Sequence, residues 1–328
     1  MIRKSLFIIF IFFSSCLKDS QDKVNLHYFH FTDYLFETKI ENIVERRKKW
    51  ETELGSFSAI FNNYIIQKKS NDEDKFNSQI IDFINVLEFK EARDSINTKF
   101  SDFNEFENQI NNAFSMYHKY FPDKKLPKII TLFTGFNYGI STHDSVLAIG
   151  LEWFLGKNSK FYYHLNDPTY IKFQKQSRFM LPSIMEAWFN HEFLIFDRGN
   201  SLLSKMIYKG KIMYFIDKVL PEISFHDKFR YSKEELEWCY NNESQIWTFL
   251  IENDFLFSTK ENDYRSYLNL SPYAKGMHRN APSRVGYFVG YNIVNNYMKN
   301  NPQITIKELI LETDEQTILN RSRYKPNN

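Results

Sequence analysis

The sequence predicts an α+β fold that is predominantly helical and contains one small β-sheet. Apolar residues recur at helical spacing from about Asp33 to Tyr120, and helical signals dominate again in the C-terminal half. Between these regions lie two short apolar runs bounded by turn-forming residues, which is the pattern of short strands. The sheet is therefore expected to be small and to be surrounded by helices.

The N-terminal helical region is predicted from apolar spacing and from the lack of helix breakers. Phe76, Ile80 and Ile84 recur every fourth residue, which places them on one face of a helix. No proline occurs before Pro122, and Gly55 is the only glycine between residues 33 and 120. Several consecutive amphipathic helices are expected here.

The strands are predicted at two apolar runs. Ile129 to Thr134 reads IITLFT and Val146 to Leu151 reads VLAIGL, and the residues between them include glycine, asparagine and serine. This pattern predicts two strands joined by a long turn.

The C-terminal helices are predicted from start signals and apolar faces. Ser183 with Glu186, and Ser232 with Glu235, both have the serine-to-glutamate spacing of a capping box. Further helices are predicted over residues 243–257 and, after Ser283, over residues 284–299.

A pair of small residues lies within the last of these helices. Gly286 and Gly290 are four residues apart and therefore lie on the same face. The favoured interpretation is close packing of another helix or strand against this face, and not a cofactor site.

The N-terminus has the layout of a lipoprotein signal peptide. Arg3 and Lys4 precede the apolar run SLFIIFIFF, which is followed by Ser14, Ser15 and Cys16. The run is too short to span a bilayer, which takes about 20 apolar residues. Residues 13–16 resemble a bacterial lipobox, in which the cysteine becomes the acylated N-terminus. We therefore predict cleavage before Cys16, lipidation of Cys16 and attachment to a membrane through this lipid.

The predicted organisation follows from this assignment. Residues 1–15 form the signal peptide, residues 16–25 a lipidated polar tether, and residues 26–328 a single domain with a helical part (26–125) and a second part (126–328). Removing 15 of the 328 residues leaves 313, which is enough for a sizeable core. The predicted location is the cell envelope, facing the periplasm or the cell surface.

Composition excludes some classes of function. The 42 basic and 40 acidic residues nearly cancel and form no long block of one sign, so nucleic acid is not an expected partner. Cys16 and Cys239 are the only cysteines, so acylation of Cys16 excludes an intrachain disulfide. Cys239 lies between Trp238 and Tyr240 and is expected to be a small buried hydrophobe, not a reactive thiol.

Catalytic motifs are incomplete. His191 and Glu192 begin like the zinc motif His-Glu-x-x-His, but Ile195 stands where the second histidine would bind the metal. The sequence has no Gly-x-Ser-x-Gly, Gly-x-Gly-x-x-Gly or Walker-type motif. We expect no catalytic residues, no bound metal or other cofactor, and no small-molecule substrate.

Several C-terminal segments together resemble a known family. They are Gly210 to Tyr214 (GKIMY), Glu234 to Trp247 (EELEWCYNNESQIW), Ser283 to Met298 (SRVGYFVGYNIVNNYM), Tyr324 to Pro326, and the earlier Phe133 to Gly156. In their order, and in combination with Cys16, they resemble the gliding-motility lipoprotein GldB of Bacteroidetes. The resemblance implies an accessory of the gliding and type IX secretion machinery that contacts other envelope proteins.

The same C-terminal pattern also resembles zincin-like peptidases. In those, a helix with Glu-Gly-x-x-x-Tyr supplies the third metal ligand; the matching segment here has Lys209 in place of the glutamate. The upstream metal motif is missing whether it is aligned at Met185 to Phe189 or at His191 to Ile195. The resemblance thus implies a zincin-like fold in which His191, Glu192 and Lys209 are degenerate metal positions.

Two other functions stay open at this stage. A divergent zinc metallopeptidase of the envelope would use His191 and Glu192 with a distant ligand. A surface glycan-binding lipoprotein is suggested by the 18% aromatic content, although AT-rich codon usage also produces such a composition.

Overall fold

The computed structural model describes residues 23–327 and has a mixed four-stranded sheet within that range. The strands lie in the order β1-β2-β4-β3, where β2 pairs in parallel with both β1 and β4, and β3 pairs antiparallel with β4. Their bounds are β1 (Tyr28–His30), β2 (Lys128–Leu132), β3 (Ile140–His143) and β4 (Val146–Gly150).

Both faces of the sheet are covered, which explains the continuous apolar runs of its central strands. Ile129 and Leu147 point to a large core formed with the C-terminal helices. Ile130 and Ala148, one residue further along each strand, point to a smaller core formed with the N-terminal helices. Because side chains alternate along a strand, one apolar run supplies both cores.

The smaller core is built from the helical region predicted upstream of the sheet. Phe76, Ile80 and Ile84 are buried on one face of the fourth helix, as their spacing predicts. A single π-helical turn, Phe61–Ile65, extends the third helix. The helices are α1 (Phe31–Phe36), α2 (Ile43–Leu54), α3 (Phe57–Ile60), α4 (Glu73–Asn85), α5 (Leu87–Lys99) and α6 (Asn104–Tyr120).

The large core is enclosed by helices that follow the sheet. Short 3₁₀ turns lie at Leu151–Phe154, Ser177–Phe179 and Leu194–Phe196. The α-helices are α7 (Lys160–His164), α8 (Thr169–Gln174), α9 (Met180–Phe193), α10 (Leu202–Val219), α11 (Phe225–Phe229), α12 (Lys233–Asn241), α13 (Glu243–Glu252), α14 (Glu261–Leu268), α15 (Val285–Asn300), α16 (Ile306–Leu311) and α17 (Glu315–Ser322).

Helices α10 and α15 touch through glycines, which confirms the interpretation of Gly286 and Gly290. A Cβ on Gly290 would overlap the carbonyl oxygen of Met206, and a Cβ on Gly210 would overlap that of Gly290. At Gly286, a Cβ would lie 2.8 Å from Leu268 Cδ2. The backbones of α10 and α15 can therefore be in contact only because Gly210 and Gly290 have no side chain.

The structure confirms the predominantly helical α+β fold and corrects several details. The two predicted strands are parallel neighbours, and the segment between them contains strand β3 in place of a simple turn. The N-terminal part contributes strand β1, which periodicity did not predict. The capping box at Ser232 and Glu235 is confirmed. The one at Ser183 is wrong, because α9 already begins at Met180 and the Ser183 hydroxyl donates to the Phe179 carbonyl oxygen.

Candidate functional site

The two residues that resemble the start of a zinc motif make separate contacts. His191 lies near the end of α9, and its ring stacks on that of Trp188 with 4.9 Å between centroids. The Glu192 carboxylate pairs with the Lys124 ammonium at 2.6 Å. These contacts give both side chains structural roles at the end of the helix.

Lys209, the third position that the resemblance to zincin-like peptidases singles out, belongs to a cluster of charged side chains between α9, α10 and α15. The centre of the cluster is Glu186, whose two carboxylate oxygens are both bonded. Tyr287 donates to Oε1 at 3.0 Å, and the Arg230 guanidinium donates to Oε2. Lys209 lies 5.3 Å from the centroid of the Tyr287 ring. We call Glu186, Lys209, Arg230, Arg284 and Tyr287 the charge cluster.

Each member is positioned by local backbone structure. Glu186 is on α9, Lys209 on α10 and Tyr287 in the first turn of α15. Arg230 ends α11 and Arg284 precedes α15, and both have left-handed backbone conformations with φ of 55° and 62°. From these positions the Arg230 guanidinium donates to Glu186, and Arg284 is buried with 4% of its surface exposed.

The electrostatics of the cluster keep its carboxylate ionised. Burial by itself would raise the pKa of Glu186, but Arg230, Lys209 and Arg284 outweigh burial and lower the pKa to about 2. Burial would likewise lower the pKa of Lys209, yet Tyr287 and Glu186 raise it. At neutral pH the site therefore holds the Glu186 carboxylate together with the positively charged Lys209, Arg230 and Arg284.

The donor set does not fit a catalytic zinc ion. When Met185 to Phe189 is aligned with the zinc motif, the two histidine positions fall on Met185 and Phe189. Both of these side chains are fully buried in the apolar core. Lys209, which the resemblance to zincin-like peptidases aligns with the third ligand, has an ammonium group that cannot donate a lone pair to a metal. Within residues 23–327, no group of three or more His, Cys, Asp or Glu side chains has a metal-binding arrangement.

A cavity of about 320 Å³ opens beside the charge cluster. Arg284, Ser283 and Tyr231 line its inner side, and the α8 residues Tyr170 and Phe173 line another wall. A second cavity, of about 700 Å³, is lined by Lys209 and by Leu268 and Asn269. The chain continues from there into Leu270, Ser271 and Pro272, which line the first cavity.

Three of the segments that carry the family resemblance are joined by hydrogen bonds to Glu243. Glu243, at the start of α13, is buried and accepts hydrogen bonds from Asn292 at 2.8 Å and from Tyr324 at 2.8 Å. Asn327 donates to the same carboxylate at 3.0 Å. The C-terminal tail is thereby fixed to α13 and α15 through one buried acid.

Cys239 is fully buried, as the sequence predicts for a small hydrophobe. Burial raises the pKa of its thiol well above the ordinary value, so the thiolate is not formed near neutral pH.

The signal peptide, Cys16 and most of the tether lie outside the described residues. Within residues 23–327, no helix combines the length and apolar character needed to cross a membrane.

Fold and site together define a predominantly helical α+β protein whose central polar site is a set of paired charges without a metal-binding arrangement in the described residues. The chain belongs to the family described as gliding motility protein GldB, which residues 17–326 match. The protein is therefore a gliding motility component. No curated protein and no solved structure matches the chain.

Sequence reasoning located part of the charge cluster and missed the rest. Lys209 was identified from its position in the Gly210 to Tyr214 pattern, and Glu186 only as a helix cap. Arg230 and Tyr287 carried no local signal, because their partner Glu186 is 44 and 101 residues away, respectively. Arg284 lies within the Ser283 to Met298 segment, so an unusual arginine at the start of an apolar helix was the available clue.

Proposed function

We propose that this protein is a lipid-anchored, non-catalytic component of the gliding motility and type IX secretion machinery in the bacterial envelope. Its match to the gliding motility family over residues 17–326 carries the proposal. The lipobox-like residues before that match support an anchor on Cys16. Lipidation with two or more acyl chains would give stable attachment, whereas a single chain gives only marginal binding.

A non-catalytic role is supported by the charge cluster. A general base must be free to accept a proton, but Glu186 is bonded to both Arg230 and Tyr287. Lys209 stands where the resemblance to zincin-like peptidases would place a metal-binding glutamate, and its ammonium group lies near the Glu186 carboxylate. The remaining function for such a site is to hold the fold and to contact another molecule, so we propose that the protein acts through contacts with other envelope proteins.

The anchor is tested by complementing a strain from which the gene has been deleted. We expect wild-type protein to restore spreading and Cys16→Ala to remain unlipidated and to fail. Ser20→Ala, which alters the tether but keeps the cysteine, is the matched control and should restore spreading. Full spreading with Cys16→Ala, at wild-type protein levels, would reject the lipid anchor as part of the function.

The absence of metal chemistry is tested by elemental mass spectrometry of full-length protein in detergent after chelation and exposure to zinc. We expect less than about one zinc ion per ten chains, since one zinc ion per chain is typical of a catalytic site. A value near one per chain, with peptide hydrolysis that chelation abolishes, would replace the proposal with a metallopeptidase.

A further inference from the structure

The 320 Å³ cavity beside the charge cluster has the features of a ligand site. Its volume is at the lower end of the roughly 300 to 1,000 Å³ that is typical of ligand pockets. Tyr170, Phe173 and Leu270 give it apolar walls, and Ser283 and Arg284 give it polar groups at the inner side. Such a site suits a side chain or chain end of a peptide better than a folded surface.

Arg284 lines this cavity as a buried cation with one unused hydrogen-bond donor, and its guanidinium carbon lies 5.3 Å from the centroid of the Tyr287 ring and 5.7 Å from that of Tyr231. Its side chain is 4% exposed, and within residues 23–327 its Nε–H donates no hydrogen bond. Nη2 donates to the carbonyl oxygens of Phe229 at 2.9 Å and Arg230 at 3.4 Å. These acceptors carry no net charge, so the guanidinium charge is not neutralised by its hydrogen bonds. A buried cation of this kind is costly unless an anion approaches it.

The acids near Arg284 are already bonded to other groups. Glu186 is bonded to Arg230 and Tyr287. Glu235 also lines the cavity, but its Oε2 accepts from the Ser232 amide in the capping box of α12. The charge cluster therefore contains three cations and a single carboxylate. Of these three cations, Arg284 is the one that lines the cavity, and Glu235 is the acid among the lining residues.

We infer that this cavity binds a carboxylate of a peptide segment from a partner protein, with Arg284 as its principal donor and the aromatic walls in contact with a neighbouring apolar side chain. Because Nη2 already donates to two backbone carbonyl oxygens and Nε is buried, the carboxylate would accept a charge-assisted hydrogen bond from Nη1. The inference rests on the proposed role in protein contacts, because it names the chemistry of the partner at that site.

The inference is tested by calorimetry with full-length protein in detergent and three synthetic peptides. The first is acetyl-Gly-Phe-Glu-Phe-Gly-amide; the second has glutamine and a free C-terminus; the third has glutamine and an amidated C-terminus and is neutral. We expect the first or the second to bind at least about tenfold more tightly than the neutral peptide, since a hydrogen bond to a charged group contributes about 1.5 to 3 kcal/mol. The stronger of the two identifies a side-chain or a terminal carboxylate.

Three further measurements tie the binding to this cavity. Arg284→Met should remove the preference for the acidic peptide, while Arg279→Met, which removes an exposed charge from the same segment, should keep it. If circular dichroism shows that Arg284→Met does not fold, Tyr170→Ala is measured in its place. Tyr170 is a half-buried residue of the cavity wall, so its removal should weaken binding of the acidic peptide. Raising the salt concentration should weaken that binding in the wild type.

Equal binding of all three peptides, or no binding at millimolar concentration, would overturn the inference. Competition by inorganic phosphate as strong as that of the acidic peptide would overturn the assignment to a carboxylate. The proposed function is judged separately by spreading: loss of spreading with Cys16→Ala but no peptide binding rejects only the inference. Normal spreading of an Arg284→Met strain with a normal protein level would also reject the inference. Normal spreading of the deletion strain would reject the proposed function.

Discussion

Glu152 makes the stability of this protein depend on pH in a direction opposite to that of an ordinary paired acid. The residue is fully buried in the 3₁₀ turn after β4. Its Oε1 accepts from the Thr134 amide at 2.6 Å, the Thr134 hydroxyl at 2.5 Å and the Phe136 amide at 3.2 Å. Its Oε2 is buried and has no partner within residues 23–327. Burial raises the pKa of Glu152 to about 7, although the bonds to Thr134 and Phe136 oppose the shift.

The magnitude follows from the difference between the two pKa values. The ordinary pKa is 4.5 and the folded value is about 7, so the folded state holds a proton that the unfolded state releases. Each unit is worth 1.36 kcal/mol, so this group contributes about 3 kcal/mol of stability below pH 4.5 that is lost as the pH rises to about 7. The pKa of Glu186 is shifted in the opposite direction, so this residue contributes stability above pH 4.5. That contribution is lost only as the pH falls from 4.5 towards 2.

The perturbation is Glu152→Gln, because glutamine keeps the Oε1 acceptor and cannot ionise. The measurement is urea unfolding of the purified full-length protein at several pH values between 4.5 and 8. We expect the free energy of unfolding of the variant, relative to wild type, to improve by about 3 kcal/mol across this range. Glu222→Gln, which removes an exposed acid, is the control and should show no such trend. A constant difference between Glu152→Gln and wild type would refute the reasoning.

Three further predictions concern packing and buried hydrogen bonds. Gly290→Ala should lower the free energy of unfolding by about 3 kcal/mol in thermal unfolding, because the new Cβ would overlap the Met206 backbone. Lys299→Ala, which changes an exposed residue of the same helix, should lower it by less than about 0.5 kcal/mol. Similar values for both variants would contradict the close contact. Glu186→Gln should lower the free energy of unfolding by about 3 kcal/mol, because it leaves the cations of the charge cluster unpaired; an unchanged urea midpoint would refute this. Tyr324→Phe should cost about 2 kcal/mol and should increase amide exchange in the C-terminal tail, since it removes a bond to the Glu243 carboxylate; unchanged exchange would show that this bond does not hold the tail.

The sequence by itself determined the class of fold, the N-terminal helical region and several of the C-terminal helices. Periodicity placed Phe76, Ile80 and Ile84 on one buried face, and the spacing of Ser232 and Glu235 marked the start of α12. The spacing of the glycines in α15 was sufficient to predict a close contact. These features depend on residues within about one or two turns of each other, so a local pattern contains them.

The tertiary structure alone decided the sheet topology and the candidate site. Short apolar runs have the same pattern whether their strands are parallel or antiparallel, so the parallel pairing of β2 with β4 was not contained in them. Arg230 and Tyr287 reach Glu186 from 44 and 101 residues away. The packing of α9, α10 and α15 decides which charges are paired and leaves Arg284 without a hydrogen bond to a carboxylate among residues 23–327. An electrostatic interaction depends on distance in space and not on separation along the chain.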